Sequence, residues 1–160
     1  MYRIGLPIAA AIVLLDQLSK WWIRVVVMDS PRDIEVTPFF KLVLTFNPGI
    51  SFSLFRAGSP AGAWVLAALA AAIATGLIIW LGRAERRWLA VALGFIIGGA
   101  LGNIVDRLRF HAVVDFLYFH AGPYYFPAFN LADSAITLGV ALLVIDGLFG
   151  RPESAKKAPH

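Results

Sequence analysis

The chain has 160 residues, of which 59% are hydrophobic and only 15% charged, with a mean hydropathy of +0.75. That balance excludes an ordinary soluble domain and points to a polytopic membrane protein. The absence of cysteine excludes disulfides, thiolate catalysis and Cys-based metal sites; the formal charge of +4 does not argue for nucleic acid, because the basic residues lie between and beyond the apolar runs, as topology signals do.

The first apolar segment covers about residues 4–27 and is interrupted by Asp16, Lys20 and Arg24. Arg3 followed by Leu6 to Leu15 imitates a secretory leader. No small-x-small cleavage site follows, so a retained membrane helix is expected. In the long loop after it, Ile34 to Phe46 is rich in Val, Phe, Thr and Leu and is bounded by Pro31 and by Asn47-Pro48-Gly49. This reads as short β-strands ending in a turn. The second segment, 61–81, carries no charge and is long enough to cross a hydrocarbon core of ~30 Å. The third, 88–105, is also uncharged and has Asn103 near its end. Gly94, Gly98 and Gly102 on the third segment, and Ala67, Ala71 and Thr75 on the second, recur at every fourth position. Such small-residue stripes let helices approach closely in lipid. The following loop holds Pro123-Tyr124-Tyr125-Phe126-Pro127, an aromatic cluster suited to the headgroup level. The fourth segment, 130–149, has Asp133 in its first turn and Asp146 near its end. With no internal repeat, residues 1–150 are expected to form one membrane domain, followed by a polar, disordered tail over 151–160.

Basic residues orient the bundle. Arg3, the cluster Arg83, Arg86 and Arg87, and the tail residues Arg151, Lys156 and Lys157 place both termini and the loop between segments two and three in the cytoplasm. The other two loops carry Arg32, Lys41, Arg56, Arg107 and Arg109, so the bias is clear without being complete.

By this topology, Asp16, Asn47, Asn103, Asp115, Asn130 and Asp133 gather at one membrane face, each embedded in apolar sequence. An Asp at the centre of a membrane helix costs roughly 2.5–3.5 kcal/mol on insertion scales, so such residues are candidates for function. Each also has a bland reading. Asp16 and Lys20 suit an i,i+4 ion pair. Asp106 with Arg107 suits a helix-end charge cluster, and Asn47 a turn. Asn130 suits a helix cap, and Asp133 the helix dipole. A convergent site accounts for all of them together. Two carboxylates that converge, Asp115 and Asp133, are the working part of an aspartic hydrolase. Asp146 falls at the opposite membrane face, near Arg151, and reads as structural. His111 and His120 near Asp115 lack metal-ligand spacing, so no metal is expected. Ser19, Ser51, Ser53 and Ser134 lack a His partner, which leaves a Ser–Lys dyad with Lys20 as the minor nucleophilic alternative.

Five stretches in this order resemble the bacterial lipoprotein signal peptidases, or signal peptidase II. They are Asp16-Gln17-Leu18-Ser19-Lys20, Asn47-Pro48-Gly49-Ile50-Ser51-Phe52, the run from Gly98 to Arg107, Val113-Val114-Asp115-Phe116, and the run from Phe126 to Ser134. Pro48 fills a position that the second motif leaves open. The resemblance covers about residues 4–149. It implies a mainly α membrane fold, a four-transmembrane-helix bundle with a small extracytoplasmic β-cradle between helices one and two. It implies an endopeptidase of the bacterial inner membrane that removes signal peptides from prolipoproteins, cutting before a cysteine that already bears diacylglyceryl. It further implies that Asp115 and Asp133 are catalytic, and that Asp16, Lys20, Asn47, Gly49, Asn103, Asp106, Arg107 and Asn130 support the site or bind substrate.

In the expected chemistry one carboxylate takes a proton from water while the other, protonated, donates to the scissile carbonyl. The amides orient the pair without adding charge, and no cofactor is required. The expected partners are lipid-modified prolipoprotein signal peptides and membrane phospholipid, with the chain acting as a monomer. A proton-coupled transporter is the rival from another class, because carboxylates and amides also build proton relays; polar groups confined to one face argue against it. A non-catalytic scaffold would give no reason for the polar cluster.

Overall fold

The computed structural model describes residues 1–28, 33–49 and 60–149. The expected disordered tail, Arg32, Arg56, Ser51, Ser53 and the end of the Asn47 motif lie outside these residues. Four helices are long and apolar enough to cross a membrane. α1 runs Tyr2–Trp22 and continues as a short π-helical turn, Ile23–Val27. α2 spans Pro60–Arg83, α3 Arg87–Phe110 and α4 Leu131–Phe149. At 1.5 Å rise per residue, a 24-residue helix is about 36 Å long, enough to span the bilayer.

α3 is the central helix. It packs against α1, α2 and α4, whereas α1 and α2 barely touch. Its glycines permit this. A Cβ on Gly98 would lie 2.8 Å from Ala9 O of α1, and a Cβ on Gly99 would overlap the backbone of α4 at Ala132. The expected small-residue stripe is therefore a packing stripe, facing α1 on one side and α4 on the other. The expectation for α2 is partly met: Ala67 is buried, but Thr75 is exposed and donates to Ala71 O at 2.8 Å. At one end of the bundle, Leu81, Ala84, Ala90 and Leu93 pack with Ala9, and Met1 and Ile4 join them. The start of α1, the α2–α3 connection and the end of α4 therefore share that end, where Arg86 Nη2 meets Asp146 Oδ2 at 2.9 Å. Asp146 thus lies at the end of the bundle away from the sheet, with Arg86 as its partner.

The other end carries a four-stranded antiparallel sheet in the order β1-β2-β3-β4. β1 (Ile34–Thr37) lies within the stretch expected to form strands, and β2 (Phe40–Asn47) runs one residue past it, to Asn47. β3 (Val113–Ala121) and β4 (Tyr124–Tyr125) add to the cradle expected between helices one and two. The connection from α3 to α4 supplies the longest strand. Its run Val113-Val114-Asp115-Phe116-Leu117-Tyr118-Phe119 is rich in β-branched and aromatic residues, which suit a half-buried pleated surface. α3 also extends past the expected end at 105 and stops only at His111, which adopts φ 56° and donates its N–H to Arg107 O at 3.1 Å. Arg24 lies over the Phe110 ring at 4.2 Å, which ties the end of the first helix to the end of α3.

Candidate active site

Asp115 sits on β3 opposite Thr45 of β2, and a bulge between Leu42 and Thr45 re-registers the two strands just there. Bulges re-aim side chains. Here Asn47, two residues beyond Thr45 and so on the same face, donates from Nδ2 to Asp115 Oδ2 at 3.0 Å. Asn47 Oδ1 accepts the Gly49 N–H at 2.9 Å, closing the expected turn. Gly49 has φ +88°, a conformation that disfavours any side chain, and a Cβ there would meet Leu66 at 2.5 Å.

Asp133 sits in the first turn of α4, where Asn130 forms the cap. Asn130 Oδ1 accepts the Asp133 N–H at 2.9 Å, and Asp133 Oδ2 accepts the Asn130 N–H at 3.3 Å. This is a reciprocal capping box, and it also holds a carboxylate at the positive end of the helix dipole. Asn130 Nδ2 reaches Asp115 Oδ1 at 2.7 Å, so one residue contacts both aspartates. Asn103 Nδ2 donates to the remaining Asp133 oxygen, Oδ1, at 2.8 Å. Among the described residues, each carboxylate thus receives two hydrogen bonds, all from neutral N–H groups. Asp115 is buried, at 2% exposure, and Asp133 is partly open. Burial pushes the Asp115 carboxyl up to about 6, and the nearby charge of Asp133 adds to the rise, while the Asn47 and Asn130 hydrogen bonds oppose it.

A second polar cluster lies beside this one. Lys20 Nζ is 2.8 Å from Asp16 Oδ2 and 2.8 Å from Asp106 Oδ2. The expected Asp16–Lys20 pair is present, but Asp106 pairs with Lys20 of α1 rather than with its neighbour Arg107. Arg107 reaches only Asn103 O of its own helix, at 3.5 Å, and forms no ion pair among the described residues. Gln17, absent from the expected site, bridges the same carboxylates. Its Nε2 lies 3.1 Å from Asp16 Oδ2 and 3.0 Å from Asp106 Oδ1. Its position beside Asp16 in an apolar helix was the available signal. The structure therefore brings together every expected site residue, with Arg107 the most weakly held and Gly49 acting through Asn47. The Ser–Lys alternative fails for the described serines. Ser19 Oγ donates to Asp16 O and Ser134 Oγ to Asn130 O, while Lys20 is taken up by the two carboxylates.

Two aspartates held by amides, at the joint between a membrane helix bundle and a small sheet, form an arrangement suited to a membrane hydrolase, and the comparisons agree. The family model described as signal peptidase (SPase) II matches residues 8–149. The chain is 49% identical to the lipoprotein signal peptidase of Beijerinckia indica subsp. indica over 148 residues, 92% of this chain and 88% of that one. It is 48% identical to that of Azoarcus sp. (strain BH72) over 158 residues, 96% of this chain and 89% of the relative. A bacterial membrane enzyme solved by the in meso method at 2.3 Å resolution superposes with a TM-score of 0.75 at 28% identity, covering 98% of this chain and 92% of that one. The chain belongs to the signal peptidase II family, a family of aspartic proteases.

Proposed function

We propose that Asp115 and Asp133 are the catalytic pair of this enzyme and that it cuts prolipoproteins before a diacylglyceryl-modified cysteine. The enzyme removes signal peptides from prolipoproteins. The observation that carries the assignment of the pair is that Asn130 contacts both carboxylates while, among the described residues, no cation pairs with either. Neutral donors fix the oxygens but leave the two groups free to repel, so one proton is shared between them.

Burial inclines Asp115 to hold that proton, which it donates to the scissile carbonyl. Asp133, the partly open member of the pair, takes a proton from the attacking water. Collapse of the tetrahedral intermediate returns a proton to the leaving amine, and the pair resets. The sheet lies beside the pair and offers β2 and β3 as the wall along which an extended segment of precursor would lie. The lipid tails would remain between the helices. The Arg83, Arg86 and Arg87 cluster at the opposite end supports a cytoplasmic location for that end and an extracytoplasmic site, in a bacterial inner membrane. We assign the function to a single copy of the chain, with one membrane domain over residues 1–150.

The test is a cleavage assay on a lipidated precursor, read as the mass lost with the signal peptide. Asp133→Asn is nearly isosteric but is no base at neutral pH, and it is expected to bind precursor without cutting it. Substantial turnover by a folded Asp133→Asn enzyme would refute the pair. Uptake of protons into vesicles without any cleavage by the wild-type chain would instead favour the transporter reading.

A further inference from the structure

The backbone amide just before each aspartate ends on a carboxylate of the second cluster. The Val114 N–H, preceding Asp115, donates to Asp106 Oδ2 at 3.0 Å. The Ala132 N–H, preceding Asp133, donates to Asp16 Oδ1 at 2.9 Å. These two carboxylates come from different helices, α3 and α1, and Lys20 Nζ joins them at 2.8 Å each. The same ammonium donates to Asn103 Oδ1 at 3.3 Å, in the amide that holds Asp133. Asp16 and Asp106 are fully buried and Lys20 is 2% exposed, so bulk water does not compete for these contacts.

We infer that Lys20 is the positioning residue that sets the separation of the catalytic carboxylates, an inference that rests on Asp115 and Asp133 being that pair. Lys20 touches no reacting atom. It draws Asp16 and Asp106 together, and each of these anchors the backbone N–H of the residue that precedes one aspartate. Without a cation between them, two like charges in a dry site repel strongly, and the Val114 and Ala132 anchors move apart with them. Gln17 bridges the same two carboxylates, through Asp16 Oδ2 and Asp106 Oδ1, but, being neutral, does not offset their charge. The chain thus fixes the distance between a strand residue and a helix residue through one ammonium group on a third element.

Lys20→Arg tests this in the full-length enzyme. It keeps the charge, but its longer planar fork spaces two carboxylates differently from an ammonium. The expected result is a folded protein that binds an uncleavable lipopeptide precursor with unchanged Kd and loses about tenfold to a hundredfold in kcat, the effect of a misplacement of about 1 Å. Lys20→Met, which removes the charge, is expected to lose more; should it fail to fold, Lys20→Arg alone decides. If charge balance were the whole role, or if the role were only structural, Lys20→Arg would show wild-type kcat per folded molecule, and that result overturns the inference. A loss confined to precursor binding overturns it too, since it would make Lys20 a substrate contact. If Asp115→Asn or Asp133→Asn keeps its turnover, the pair itself falls and the inference with it. If both are inactive while Lys20→Arg is unimpaired, only the inference on Lys20 falls.

Discussion

The raised carboxyl of Asp115 gives a prediction that reads its part in stability and its part in catalysis separately. The group titrates at about 6 in the fold, against the ordinary value of 3.8. A carboxyl whose pKa is higher in the folded than in the unfolded chain binds its proton more tightly when folded. Its contribution to stability is therefore largest at low pH and is lost as pH rises from about 4 to about 6. A shift of that size is worth about 3 kcal/mol in full. Of this, about 1.3 kcal/mol is recovered on going from about pH 7 to about pH 5. For a chain of this length, each kcal/mol moves Tm by about 2–4 °C. Other groups titrate in the same window, so the informative quantity is the difference between wild type and Asp115→Asn, which has no proton to bind. Measured in detergent, the wild-type Tm is expected to rise about 3–5 °C more than that of Asp115→Asn between the two pH values. In the same preparations Asp115→Asn is expected to cleave no lipidated precursor. Identical pH responses of the two proteins would refute the burial argument, and cleavage by a folded Asp115→Asn enzyme would refute the catalytic role.

Asn130→Ala removes the cap of α4 and a contact to each aspartate, so a loss of roughly 1–3 kcal/mol in transition-state stabilisation is expected, about tenfold to a hundredfold in kcat/KM. Asn47→Ala removes one bond to Asp115 from an exposed position and is expected to fall at the lower end of that range in the same cleavage assay. Gly102→Ala places a Cβ 2.6 Å from Asp16 Oδ2, so it is expected to lower both Tm and kcat, whereas Gly76→Ala, with no atom within 4 Å of its Cβ, is expected to change neither. Asp146→Asn breaks only the Arg86 pair at the far end of the bundle, and its cleavage rate is expected to equal that of the wild type. A phosphatase that works only outside the cytoplasm, fused after residue 149, is expected to be inactive; an active fusion would invert the assigned orientation.

The spans of the four helices were legible because an uncharged apolar run of membrane length can satisfy its backbone in lipid only as a helix. Their ends were less legible. α3 was expected to stop at 105, before Asp106 and Arg107, because charged residues end an apolar run. It continues to Phe110, with Asp106 paired to Lys20, 86 positions away in sequence, and accepting the Val114 N–H. A local reading of sequence does not see such partners. β3 went unread for a related reason: its partner β2 lies beyond two membrane helices, and nearby prolines and aromatic residues suggested an irregular loop. The residues of the proposed site were legible as polar groups in apolar surroundings. Gln17 was passed over because a neutral amide between Asp16 and Lys20 does not stand out as a charge does. The two readings offered for Asn130, cap and site residue, are compatible in one side chain, since its Oδ1 caps the helix while its Nδ2 reaches Asp115.

The separation of charge between the two clusters has a chemical reason. A cation paired directly with Asp115 or Asp133 would favour the ionised form of both and remove the shared proton on which the proposed chemistry depends. Amides and backbone N–H groups orient the oxygens without that effect, and Asn47, Asn103 and Asn130 supply them. Orientation in a membrane still calls for strong, directional contacts, and ion pairs screened from water are among the strongest. The chain therefore places its ammonium one residue away along the backbone, behind Val114 and Ala132, where it anchors the scaffold while, among the described residues, the carboxylates themselves accept only from neutral donors. The arrangement demands that Asp16, Lys20 and Asp106 all be buried together, because any one of them alone at this depth would be an uncompensated charge. The small-residue face of α3 makes this possible: with a glycine at 102, Asp16 of α1 can reach past α3 to the first turn of α4.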